Sequence, residues 1–160
     1  MNRGPLLLVS LLAGLSLPAM AESPVTSPSP APAVSLFGAA INVVNLDREI
    51  AFYTQALGMR VAMTLPMGAR SETILTFGSD PGQASLLLMH DSSPAAPKKI
   101  EHGNNFSRLV IRVSDLDALG RRLDALGHEH SAIRDASHGY RVMFLTDPEG
   151  FRIELVQQGS

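Results

Sequence analysis

The chain of 160 residues has no cysteine. It gains no disulfide support, holds itself by packing alone, and enters an oxidising compartment without risk of mispairing. A lipoprotein anchor, which needs a cysteine, is excluded for the same reason. An excess of basic charge is also missing, since 13 Lys and Arg stand against 15 Asp and Glu. That balance argues against a nucleic-acid partner, which would want a basic stripe. Lys98-Lys99, the basic pair in a loop, reads as solvated surface. Heptads, a phosphate-binding glycine loop and an amphipathic membrane helix are absent as well.

What is present begins with a leader. Arg3, an apolar run over residues 6–17 and the small residues Ala19-Met20-Ala21 follow one another as in a secretory signal peptide, here residues 1–21. The run is shorter than the roughly 20 residues that span a bilayer. The expectation is a secreted or periplasmic protein with no membrane anchor after cleavage. Loss of Arg3 would leave 12 basic against 15 acidic residues. Residues 22–33, rich in Pro, Ser and Ala, have little to bury and read as a disordered or extended leader. Residues 34–158, about 125 in all, suffice for one domain with a sizeable core.

That domain repeats itself. FLTDPEGFRIELV near the end matches FGSDPGQASLLLM in the middle: an aromatic strand end, Asp-Pro with Gly close behind, then a second apolar strand. Leu46-Asp47 followed by Ala56-Leu57-Gly58 is answered by Leu116-Asp117 followed by Ala125-Leu126-Gly127. Two echoes in one order, offset by about 70 residues, indicate an internal duplication into two half-domains sharing a core. In this register Leu87 answers Glu154.

Each half reads βαβββ. In module one (about 34–90), a strand over 34–44 precedes a helix capped by Asn45, with Asp47 and Glu49 in its first turn. Leu46, Ile50, Tyr53 and Leu57 form its apolar stripe, Tyr53 being read as core, and Gly58 ends it. Strands over 59–65, 72–77 and 84–89 follow. Residues 91–105, rich in Pro, Ser, Gly and charge, form a connector. Module two (about 106–158) has a strand over 107–113 and a helix opened by a Ser114 and Asp117 capping box. The helix has the stripe Leu116, Leu119, Leu123, Leu126 and stops at Gly127. Strands over 128–134, 140–145 and 151–157 complete the module.

With NLDREIAFYTQALGM opening the first helix and DPEGFRIELV closing the chain, the sequence resembles the vicinal oxygen chelate superfamily. That superfamily includes glyoxalase I, bleomycin-resistance proteins, extradiol dioxygenases and methylmalonyl-CoA epimerase. The nearest look is to lactoylglutathione lyase-like proteins. The resemblance implies an α+β fold in which two βαβββ modules curl into half-barrel sheets with helices packed outside. It also implies a small-molecule ligand in the concave face, and homodimers that can exchange modules. The family's metal positions fall on Gly38, Leu87, Arg108 and Glu154.

Only Glu154 is of a metal-ligand type, whereas a catalytic divalent metal normally takes at least three protein ligands. A guanidinium nearby would repel a dication, a unit pair at about 4 Å being worth roughly 4 kcal/mol at intermediate dielectric. No metal cofactor is therefore expected; zinc, nickel, manganese or iron enters only under the alternative of a glyoxalase I-like enzyme. If the strands keep the family's direction, Arg108, Val110, Arg112, Arg152, Glu154 and Val156 face the ligand from one side. Gly38, Ala40, Asn42, Ser85, Leu87 and Met89 face it from the other. Three roles stay open: an Arg108–Glu154 ion pair where the metal would be, Arg108 or Arg112 binding an anionic group, and Glu154 as a proton-transfer base. Asn42, Leu87, Met89, Arg108, Arg112 and Arg152 are the candidate ligand-binding residues, with Glu154 the catalytic candidate. The five His show no spacing to a carboxylate that signals a site, and the seven Met read as packing, with Met63, Met67 and Met89 able to line an apolar cavity.

Overall fold

The computed structural model describes residues 34–80 and 83–159; the signal peptide and leader expected over 1–33 lie outside the described residues, as does part of the Asp80-Pro81 turn. The elements in order are β1 (Gly38–Val43), α1 (Leu46–Gln55), β2 (Arg60–Met67), β3 (Arg70–Thr76), β4 (Ser85–Asp91), β5 (Leu109–Arg112), α2 (Leu116–Ala125), β6 (Arg134–Asp135), β7 (Tyr140–Thr146) and β8 (Arg152–Gln158). They make two four-stranded sheets, ordered β1-β4-β3-β2 and β5-β8-β7-β6. In both, the first and last strands of the module run parallel and the other neighbours antiparallel. The fold is thus α+β, two βαβββ modules in one chain.

Register repeats along with topology. Ala40 pairs with Leu87 in the first sheet, and Val110 with Glu154 in the second. Because side chains alternate across a strand, one face of each sheet lies under a helix and the other is open. Ile41, Val43, Leu75, Leu86 and Leu88 take the covered face of the first sheet, and Met143, Leu145, Ile153 and Leu155 that of the second. Phe52 and Tyr53 from α1, with Leu116 and Leu123 from α2, join them in one continuous cluster. Each such side chain removed from water contributes about 1.5–3 kcal/mol before chain entropy is charged against it.

The helices begin and end for local reasons. The Asn45 side chain accepts from Arg48 N at 3.0 Å and opens α1. At α2 the cap is Asp115, accepting from Ala118 N at 2.9 Å, and not the expected Ser114. The helix starts at Leu116, so the residue immediately before it holds the capping place. Gly127, at φ +74°, closes α2 with His128 N bonded to Leu123 O and Gly127 N to Asp124 O. This is the paired bond pattern of a left-handed terminal residue.

One expected strand is mostly absent. Over 128–134 only Arg134 enters a ladder, in the two-residue β6, with His130 making an isolated bridge to Leu145. Side chains share the bonding there with one backbone bond, from Ser131 N to Phe144 O at 2.7 Å. The Ser131 hydroxyl accepts from Phe144 N at 3.0 Å, and the His130 ring engages both the Ser131 carbonyl and Asp124. β1 starts at Gly38, later than expected, and Arg108 stands one residue before β5.

Candidate functional site

Where the modules meet, α1 packs on the turn between β7 and β8. The Tyr53 hydroxyl donates to Asp147 Oδ2 at 2.7 Å, both side chains buried. Asp147 Oδ1 accepts from Phe151 N at 2.8 Å and Glu149 N at 3.1 Å, closing the turn. Glu149 reaches across to accept from Asn45 N at 2.8 Å and Val44 N at 3.1 Å, a carboxylate placed where the helix N-terminus favours negative charge. Arg48 donates to the Pro148 carbonyl at 3.1 Å and lies 3.4 Å from Glu149.

Glu49 sits within this seam, fully buried, with neither carboxyl oxygen hydrogen-bonded. Burial, then the charges of Asp147 and Glu149, push its carboxyl up to about 8, opposed by the charge of Arg48. It is therefore mostly a neutral acid at pH 7. Burial raises Asp147 as well, against the hydrogen bonds of Tyr53 and the turn amides, and burial beside Asp147 raises the Tyr53 hydroxyl. Tyr53 lies in the core, as its place on the apolar stripe implies, whereas Glu49 has no sequence signal beyond its place in the first turn of the helix. No local spacing signals a bond spanning two modules.

The four positions that would hold a metal fall into two pairs. Gly38 lies against β4: a Cβ added there would stand 2.2 Å from the Ser85 carbonyl oxygen and 2.8 Å from Leu87 Cδ1. The backbone leaves no room for a ligating side chain without a shift. In the other pair, Arg108 Nε donates to Glu154 Oε2, and Arg108 also bonds the Ser107 hydroxyl at 3.1 Å. Glu154 is the more enclosed partner, its side chain 15% exposed against 41% for Arg108. With glycine, leucine and arginine at three positions and the fourth engaged by that arginine, this donor set does not fit a divalent cation. Among the described residues no group of three or more His, Asp or Glu is placed to hold one elsewhere.

The candidate ligand-binding residues divide by sheet. Asn42 and Met89 are register partners and line a cleft of about 420 Å³ with Arg70 and Ile100. Leu87 is half-buried beside Gly38. Arg112 borders a cavity of about 800 Å³ with Val110, Gln157 and Phe77. Arg152 faces a third, of about 360 Å³, lined by Phe144, Thr146 and Ser131. Its guanidinium lies 4.6 Å from the centroid of the Phe144 ring, and that of Arg134 lies 5.8 Å from it. Phe144 is the aromatic strand end of the closing motif, while Arg134 lies in no motif. Three of the five histidines have partners in the packing: His130 as above, His128, which meets Phe52 edge-on, and His102, which bonds the Glu149 carbonyl at 2.9 Å and meets Phe151.

With fold and geometry set out, known proteins offer a measure. The family model of the Glyoxalase/Bleomycin resistance protein/Dioxygenase superfamily matches residues 35–155, and the chain belongs to that superfamily. Lactoylglutathione lyase of Haemophilus influenzae is 27% identical over 124 residues, covering 75% of this chain and 90% of that protein. The trypanothione-dependent glyoxalase I of Leishmania major superposes with a TM-score of 0.67 at 24% identity, over 79% of this chain and 88% of that one. TnmS3, an antibiotic binding protein from Streptomyces sp. CB03234, gives 0.64 at 21% identity, over 79% and 98%. At these identities the two structures speak for the fold alone.

Proposed function

We propose that this chain is a small-molecule-binding member of its superfamily whose metal site has degenerated. The observation that carries the reading is the donor set: Gly38 closed by backbone, Leu87, and an Arg108 that engages Glu154. The open faces of the two sheets, small and apolar around Gly38 and Leu87 on one side and arginine-rich on the other, supply the ligand surface. Asn42, Leu87 and Met89 serve from the first sheet, and Arg108, Arg112 and Arg152 from the second.

Two further proposals go with it. The leader pattern over 1–21 supports export to a periplasmic or extracellular place. Met63 and Met67 on β2 and Val110 on β5 are about half exposed, and a second copy of the chain would cover them. Apolar area of that kind favours self-association.

The second reading is a metal-dependent lactoylglutathione lyase, favoured by the names of relatives at 26–28% identity. The deciding experiment assays the full chain for lactoylglutathione lyase activity with added zinc, nickel, manganese or iron(II). A panel of apolar and anionic small molecules is screened in parallel by thermal shift. The binder reading expects stabilisation by a ligand and no turnover; metal-dependent turnover would replace it with the second.

A further inference from the structure

We propose that the cleft between the end of the first sheet and the connector over 91–105 seats an uncharged, mainly apolar molecule whose amide group pairs with the Asn42 side chain. This rests on the reading of the domain as a small-molecule binder. It goes further by naming the seat, the connector residues that wall it and the chemistry of what they hold.

Register brings one side of the cleft together. Asn42 pairs with Met89 across β1 and β4, and Arg70 with Asp91 across β3 and β4, so alternation puts these four with Leu87 on the open face of the first sheet. Ala96, Pro97 and Ile100 of the connector line the same cleft, of about 420 Å³. The connector is fastened at both ends. At its start Ser92 N donates to the Ala69 carbonyl at 2.8 Å and Ser93 N to Asp91 Oδ1 at 2.8 Å. Towards its end Ile100 packs against the core cluster and His102 bonds the Glu149 carbonyl. The wall therefore stands in place before a ligand arrives, which lowers the ordering cost of binding.

The charges at this cleft are already matched. Arg70 lies 3.2 Å from Asp91 and Lys99 lies 2.8 Å from Glu101, so its four charged side chains form two ion pairs. A charged ligand would break a pair or stand unmatched beside Met89 and Ile100, and either costs free energy. Asn42 is the polar group left to read a ligand. Its side chain is exposed and makes no hydrogen bond among the described residues. An asparagine amide presents a carbonyl acceptor and an N–H donor side by side. A primary amide or a lactam satisfies both at once. The adaptable Met89 thioether and the Ile100 and Pro97 side chains suit the apolar body attached to it.

The test is calorimetric titration of the full chain with cinnamamide, cinnamate serving as its charged match and N,N-dimethylcinnamamide as the match that lacks a donor. Saturable one-to-one binding of cinnamamide is expected, with the other two weaker by about ten-fold or more. Asn42→Ala should weaken cinnamamide about ten-fold by removing the paired bonds. Ala96→Trp, which fills the cleft from the connector, should abolish binding while the melting curve shows the fold retained. Arg121→Gln, on α2, should leave the affinity unchanged. No saturable binding of cinnamamide, cinnamate binding as tightly, or full affinity in either Asn42→Ala or Ala96→Trp overturns the proposal. Tighter binding of cinnamate that is lost in Arg112→Gln or Arg152→Gln would overturn this seat and leave the binder reading intact. Metal-dependent turnover would remove the binder reading, while the variant titrations would still decide the seat.

Discussion

The two sheets have the same strand order and the same register, yet their open faces share almost no chemistry. Where the first sheet shows Gly38, Ala40 and Leu87, the second shows Arg108, Val110 and Glu154 at the equivalent places. Their covered faces, by contrast, are alike: Ile, Val and Leu pressed under a helix. Packing restrains the covered faces, since a lost methylene there costs stability directly. The open faces are free to diverge once they stop sharing a ligand. A metal bound between the modules would need donors from both, and the first sheet offers none at Gly38 or Leu87.

The contrast is broken most severely at the seam that joins the halves. Asp147→Ala leaves the Tyr53 hydroxyl and two turn amides without their acceptor. A loss of about 3 kcal/mol in urea unfolding is expected; a loss under 1 kcal/mol would mean the modules do not depend on this contact.

Glu49 tests the same seam through pH. Its folded carboxyl titrates near 8, above the ordinary value of 4.5. The associated stability is therefore fully present below about pH 4.5 and is lost as pH rises through about 8. Glu49→Gln has no such titration. Its stability relative to the native chain should climb by on the order of 2–3 kcal/mol between pH 5 and pH 8, as read from unfolding midpoints across that range. Parallel pH curves for the two proteins would show that Glu49 is not held neutral.

Gly38 sharpens the comparison within the first sheet. Gly38→Ala should cost about 2 kcal/mol because the new Cβ meets the Ser85 carbonyl. The equivalent Arg108→Ala should cost less, since that position already carries a side chain. Smallest is the coupling of Arg108 with Glu154. A double-mutant cycle with Arg108→Gln and Glu154→Gln should give about 1 kcal/mol, above a surface pair because Glu154 is largely enclosed. Zero coupling would make the pair incidental.

What was legible in the sequence was local or periodic. The duplication, the Asn45 cap, Gly127 and the Asp147-Pro148 turn signal themselves within a few residues, and the register of the halves carried Leu87 and Glu154 to equivalent places. Ser114 and Asp115 are both good caps one residue apart, and only the helix start decides between them. The segment 128–134 has strand-like spacing, but the Ser131 hydroxyl and the His130 imidazole take part of the bonding a ladder would have used. The Tyr53–Asp147 bond, the burial of Glu49 and the two arginines at Phe144 depend on residues distant in the chain. No spacing rule reaches them.

Loss of the metal site is tested by metal uptake. The full chain, purified without chelator, would be analysed for bound metal and then titrated with zinc, nickel, manganese and iron(II) while its melting temperature is followed. Substoichiometric metal and no rise in melting temperature are expected with each of the four. Tight one-to-one binding with a raised melting temperature would contradict it.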